Sequence, residues 1–206
     1  MDASIPPRQY RSPRRRAQAE TTRRGILAAA QRLFTESGFA SVTMEAIARA
    51  AGVSVATVYL NFAGRAAIVA ALAEEVVSAP DLNVELAVVA QNPVEQARIG
   101  ARIIRQLNER SWQIADILRG AHGSDEELAE LWLAWQERHL YAMRRAVESL
   151  VARDALRPGL APDEAVDVLY ALAGTEVYRS LVRERGWSPE RYEDWLFRTI
   201  RTELVG

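Results

Sequence analysis

Apolar side chains recur along this chain at intervals of three and four residues, and nowhere do they alternate over the length of a strand. Between Glu20 and Ser37 the repeat is Ile26, Ala29, Ala30, Leu33 and Phe34, which predicts a helix, and Gly38 suits a left-handed C-terminal cap. Residues 43–62 follow as a helix, a sharp turn at Gly52 and a second helix. Ile47, Val53 and Val58 are apolar where the two helices face each other, and Ala48 is small where they cross closely. From Arg65 to about Ala79 the spacing of Ile68, Leu72 and Val76 predicts one more helix, stopped by Pro80.

The second half continues in the same period. Asn92-Pro93 reads as an N-cap with proline at the first helical position, opening a helix to about Arg110, and a shorter helix is expected over 111–121. Ser124-Asp125-Glu126-Glu127 reads as a capping box for a long helix to about Ala155. Residues 162–185 and 188–204 close the chain as a helix pair joined at Gly186-Trp187. The expected fold class is therefore all-α: an N-terminal three-helix helix-turn-helix domain followed by a larger helical domain.

The twenty residues from Thr43 to Phe62 carry the chemistry. Thr43 and Ser54 stand where their hydroxyls can cap the two helices, and a helix N-terminus also attracts phosphate. The second helix offers Ser54, Val55, Thr57, Tyr59 and Asn61 outward, a surface suited to phosphates and base edges in a major groove. Together with Ile26-Leu27-Ala28-Ala29, Leu33-Phe34, Gly38, Ile47-Ala48, Ala51-Gly52-Val53, Val58, Phe62 and Arg65, these residues make 23–72 resemble the DNA-binding domain of the tetracycline-repressor (TetR) family. The chain departs from the family pattern at Ala56, where glycine is usual, at Asn61, where His or Tyr is usual, and at Arg65, where Lys is usual. Asn61 has the groups to bond adenine or phosphate, and Arg65 keeps the charge and adds a fork for phosphate.

Charge is distributed to match. Residues 1–65 hold ten Arg against four carboxylates, whereas the remainder holds sixteen Arg against twenty-three, so a basic end precedes an acidic body. Residues 1–19, with three prolines and Arg8, Arg11, Arg14, Arg15 and Arg16, are expected to be an unfolded arm, with Arg14, Arg15 and Arg16 as candidate phosphate or minor-groove contacts. The chain has no cysteine, which excludes disulfides and Cys-based metal or redox sites and accords with a cytoplasmic protein. There is no glycine-rich phosphate loop and no Gly-x-Ser-x-Gly elbow, and only His122 and His139 could supply imidazole, so neither an enzyme nor a cofactor or metal site is expected.

The resulting division is an arm over 1–19, a DNA-binding domain over 20–65 and an effector-binding and dimerisation domain over 66–206. Trp112, Trp132, Trp135, His139, Tyr141 and Tyr170 are the candidate lining of a small-molecule site. The closing helix pair resembles the last two TetR-family helices, which pair with their symmetry mates. That resemblance assigns Val166, Ala173, Gly174, Val177, Leu181, Trp195 and Thr199 to a homodimer interface. It also implies a ligand-responsive repressor that binds a palindromic DNA operator as a homodimer and is released by a small molecule. The alternative is a helical protein-interaction module without specific DNA binding; the Arg-rich arm and the presence of Thr43, Thr57 and Tyr59 weigh against it.

Overall fold

The structure, a computed structural model, describes residues 13–123 and 125–206. Among these residues all regular elements are helical, apart from one isolated antiparallel bridge between Leu156 and Val205. Two compact units divide the chain, residues 1–68 and 69–206, and the division falls inside one helix, Arg65–Val77.

The first unit contains α1 (Pro13–Ser37), α2 (Met44–Ala51), α3 (Val55–Asn61) and the start of α4 (Arg65–Val77). Helix α1 begins earlier than expected, so residues 13–19 are helical rather than part of an unfolded arm. Proline is accepted in a first turn, where its missing N–H has no role, and the Arg, Ala, Gln and Glu that follow are good helix formers. The other arm residues, Arg8 and Arg11 among them, lie outside the described residues. Gly38 ends α1 with φ 77° and ψ 151°, an extended positive-φ conformation rather than the left-handed helical one expected. Its N–H still bonds Phe34 O at 3.0 Å, and the chain then makes a short 3₁₀ turn over Phe39–Ser41. Ile26, Leu27, Ala30, Phe34, Ile47, Ala48, Val58 and Phe62 are all buried and form the core. Gly52 at φ 69° makes the turn between α2 and α3 as expected.

The second unit holds the remainder of α4, then α5 (Glu85–Val88), α6 (Pro93–Ala121), α7 (Glu126–Val151), α8 (Pro162–Ala173), the single turn α9 (Thr175–Tyr178), a π-helical stretch Arg179–Glu184, and α10 (Pro189–Leu204). Asn92 caps α6 by accepting from Glu95 N at 2.9 Å, and Ser188 caps α10 through Arg191 N at 3.2 Å. The expected break near Arg110 is absent: α6 runs unbroken for 29 residues, because Asn108 and Ser111 are buried within it rather than marking a solvated end. Asp125 caps α7 by accepting from Leu128 N at 3.1 Å, while Ser124 of the expected box lies outside the described residues. Helix α7 stops at Val151, where Asp154 takes φ 50° and Ala155 N–H returns to Leu150 O at 3.0 Å.

The single helix expected over 162–185 is interrupted at Gly174, whose ψ of 144° is extended. The core joins α6, α7, α8 and α10 through Ala101, Ile104, Met143, Val147, Leu150, Leu169, Tyr192, Leu196 and Leu204.

Candidate nucleic-acid interface and internal cavity

Two of the sequence-identified hydroxyls hold the helix-turn-helix together. Thr43 Oγ1 accepts from Ala46 N at 3.2 Å and Ser54 Oγ accepts from Thr57 N at 3.0 Å, so each satisfies an amide that the helix itself cannot. Ser54 and Thr57 hydroxyls also share a 2.8 Å hydrogen bond. Val58 is fully buried, while Tyr59 is 52% and Leu60 86% exposed, so α3 has one core face and one open face. Val55, Thr57 and Asn61 are partly exposed on it.

Asn61 and Arg65, expected as contacts to bases or phosphates, both make hydrogen bonds within the protein. The Asn61 side-chain amide donates to Thr57 O at 2.8 Å, within its own helix, and the Asn61 backbone carbonyl accepts from Arg23 Nη1 at 3.2 Å. Arg65 Nη1 donates to Phe39 O at 2.9 Å, Ala40 O at 3.3 Å and Val42 O at 2.8 Å, and its guanidinium lies over the Phe39 ring at 4.6 Å. Through Nη1 and this stacking, Arg65 clasps the connection between α1 and α2. Arg23 plays a matching part, its guanidinium 4.3 Å from the Phe62 ring centroid. Arg14, Arg15 and Arg16 stand exposed at the start of α1. Sequence reasoning missed Leu60 and Arg23; the signal for Leu60 was its place between two outward residues of a short helix.

The second unit holds a cavity of about 700 Å³ that is partly open to solvent. Trp132, Trp135, His139, Tyr141 and Tyr170 line it, with His139 stacked on Tyr170 at 4.5 Å between centroids. Burial holds His139 below the ordinary imidazole range, partly opposed by the Glu176 carboxylate. Trp112 is not in the wall: it packs against the core, with the Arg183 guanidinium 4.9 Å from its ring. Its helical spacing fitted core as well as cavity, and core is what it serves.

Polar wall residues that the sequence reading missed include Gln96, Asn108, Ser111, Arg119, Arg138, Thr175 and Glu176. Gln96 donates to Ala146 O at 2.8 Å, and Asn108 Nδ2 donates to Ala173 O at 3.1 Å and Tyr192 Oη at 3.3 Å. Burial pushes the Tyr192 phenol up to about 12. Arg119 pairs with Asp116 at 3.3 Å and with Glu176, and donates to Thr175 Oγ1 at 3.3 Å. Asn108 and Ser111 fall in register with the apolar stripe of Ile104, a pattern that marks a polar group facing inward.

Of the residues assigned to the dimer face, Val166 and Ala173 are 8% and 3% exposed, buried in the protomer's own core. They share the inward side of α8 with Ala165 and Leu169, so neither is available to a second chain. Gly174, Val177, Leu181, Trp195 and Thr199 keep partial exposure. Among the described residues no group of His, Asp and Glu could hold a metal ion, and no single helix is long and apolar enough to cross a membrane.

The family model for bacterial regulatory proteins of the tetR family matches residues 26–72. A curated relative, the uncharacterized HTH-type transcriptional regulator YdeS of Bacillus subtilis (strain 168), is 31% identical over 186 residues, covering 84% of this chain and 90% of YdeS. The chain belongs to the TetR family. The HTH-type transcriptional regulator EthR of Mycobacterium tuberculosis (strain ATCC 25618 / H37Rv) is 23% identical over 187 residues, 88% of this chain and 86% of EthR. Among solved structures, NalD, the secondary repressor of the MexAB-OprM multidrug efflux pump in Pseudomonas aeruginosa, superposes with a TM-score of 0.72 at 25% identity, covering 92% of this chain and 98% of NalD. A complex of SmeT with triclosan gives a TM-score of 0.73 at 24% identity over 90% of this chain and 92% of SmeT. As a TetR-family member the chain is a DNA-binding transcriptional regulator and not an enzyme.

Proposed function

We propose that this TetR-family regulator is a cytoplasmic repressor whose α3 enters the major groove of a palindromic operator, one copy per half-site of a homodimer, and leaves it when a small molecule occupies the cavity. The observation that carries the reading is the division of α3 into a buried Val58 face and an open face bearing Tyr59 and Leu60. Thr43, Ser54, Val55, Thr57, Tyr59 and Asn61 form the contact surface, with Arg14, Arg15 and Arg16 supplying positive charge for the phosphates. Arg65 acts on DNA through the connection it clasps rather than by its own contact.

Gly174, Val177, Leu181, Trp195 and Thr199 form the dimer face, which the two-fold symmetry of a palindrome requires. Release follows from the chain path, since α4 begins in the first unit and continues in the second. A ligand that favours one arrangement of the second unit biases α4 and with it the spacing of the two α3 helices. A coupling of roughly 1–3 kcal/mol weakens DNA binding about 5- to 150-fold.

The test is selection of fragments of the source genome with full-length protein, Tyr59→Ala run alongside, followed by sequencing of what is retained. A shared palindrome lost with Tyr59→Ala supports the reading. Salt-sensitive retention without a motif, equal for both proteins, replaces it with the interaction-module alternative.

A further inference from the structure

The sheltered charges of the cavity wall are matched by charges of the protein itself. Arg119 is held by Asp116, Glu176 and Thr175, while Arg138 is more than half exposed, facing water beside an equally exposed Glu74 at 3.9 Å. Glu176 has Arg119 as its counter-ion. Burial also favours neutral His139 against Tyr170. In the sheltered part of the described wall no charge waits for an opposite one, and a ligand ion entering it would lose its hydration without gaining a counter-charge. Much of the remaining wall is apolar, including Ile103, Ile104, Leu107, Met143 and Leu150.

Against that background one atom stands out. Ser111 is completely buried, lines the cavity, and its Oγ has no hydrogen-bond partner. Gln96 and the Asn108 amide nitrogen, the other deep polar groups, are committed to the protein. A buried hydroxyl without a partner costs stability, and alanine would fill nearly the same space in the helix without that cost. The fold gains nothing from the Ser111 oxygen, whereas a ligand oxygen in the cavity would complete it.

We infer that the cavity's ligand is an uncharged, largely apolar molecule carrying a hydroxyl or carbonyl oxygen, and that Ser111 Oγ is the group that fixes it. This deepens the proposed function, on which it rests for the statement that the cavity is the regulatory site. The cavity volume lies within the range of sites that enclose small organic ligands.

The experiment uses three probes with the same ten-carbon chain: 1-decanol, decanoate and decyltrimethylammonium. Binding to the full-length protein is measured by calorimetry near pH 8, and operator release by fluorescence anisotropy. The alcohol should bind at least tenfold tighter than either ion. Ser111→Ala should weaken the alcohol about fivefold, leave the ions unchanged, and leave operator affinity without ligand unaltered. Ser111→Cys, close in size and a poor hydrogen bonder, should behave like Ser111→Ala, and unchanged urea midpoints would show that both variants are folded. Ions binding as well as the alcohol, undiminished alcohol binding to Ser111→Ala, or no binding of any probe would each overturn the inference. Alcohol binding that depends on Ser111 but does not release DNA would uphold it and overturn the regulatory reading instead.

Discussion

Replacing Arg65 separates two roles that a basic residue just past a recognition helix can play. If its guanidinium serves the fold, the loss in Arg65→Ala is of the bonds to Phe39 O and Val42 O at 2.9 and 2.8 Å, the longer one to Ala40 O, and the stacking on Phe39. Charge-assisted hydrogen bonds are worth roughly 1.5–3 kcal/mol each when sheltered, but this side chain is only partly buried and water can replace it at the freed carbonyls. A net cost of about 2 kcal/mol follows, equivalent to about a 30-fold loss of amide-exchange protection in α2 and α3. Arg65→Lys keeps the charge, yet its ammonium ends one bond short of the Nη1 position that makes all three bonds and has no planar face to lay on Phe39, so it should recover only part of that protection. A phosphate contact makes the opposite forecast. Losing it leaves protection intact and lowers the slope of log K against log salt by about 0.9 per half-site, and Lys restores it. Exchange read by mass spectrometry and DNA affinity at several salt concentrations therefore decide the matter together. Unchanged protection with a reduced slope would refute the clasp.

Four further outcomes follow from the same geometry. Tyr59→Ala removes a half-exposed side chain and should weaken operator binding by about tenfold or more while leaving the unfolding midpoint within about 0.5 kcal/mol of the parent, as checked by anisotropy and urea titration. Gly52→Ala meets no neighbouring atom but must hold φ near 69°, so it should cost about 1 kcal/mol in urea unfolding; a larger loss would mean steric conflict instead. Asn108→Ala leaves Ala173 O and Tyr192 Oη short of a donor and should cost about 2–3 kcal/mol, seen as a lower thermal midpoint. Because burial lowers the pKa of His139, the unfolded chain takes up a proton that the folded state resists, so stability is full above the free imidazole value near 6.5 and falls as pH drops below it. His139→Gln should flatten that decline in pH-dependent unfolding.

The reader unit was legible because local rules suffice there. Thr43 and Ser54 are caps, Gly52 is a left-handed turn residue, and Val58 faces the core, each set by residues within a few positions in sequence. What was not legible depended on partners far along the chain. The bonds of Arg65 reach back 23 to 26 residues, and nothing near it in sequence distinguishes a carbonyl clasp from a phosphate contact. The aromatic positions divided in the same way. Trp132, Trp135, His139, Tyr141 and Tyr170 reach the cavity and Trp112 does not, although helical spacing alone treats them alike. Val166 and Ala173 were assigned to a neighbouring chain by resemblance, and the apolar stripe they belong to could not correct that, since it records that a face is covered, not by what.

In the second unit, several departures from local expectation gather in one place. The expected end of α6 near Arg110 is overridden where Asn108 and Ser111 are buried, and the expected continuity of 162–185 fails at Gly174, beside Thr175 and Glu176. All five of these residues line the cavity. Polar groups in the middle of a buried helix face and a break in an otherwise well-formed helix both cost stability, and a sequence shaped by packing alone would replace them with apolar residues and a continuous turn. Local rules hold through the helix-turn-helix from Thr43 to Phe62 and yield around the cavity. That is the distribution expected when the first unit must present a rigid helix and the second must keep open a space that something else completes. Filling that space should therefore raise the stability of the second unit: a compound that binds only the folded protein at 100 times its Kd adds about 2.7 kcal/mol to unfolding, and a bound ligand that left the midpoint unmoved would contradict this account of why the local rules break where they do.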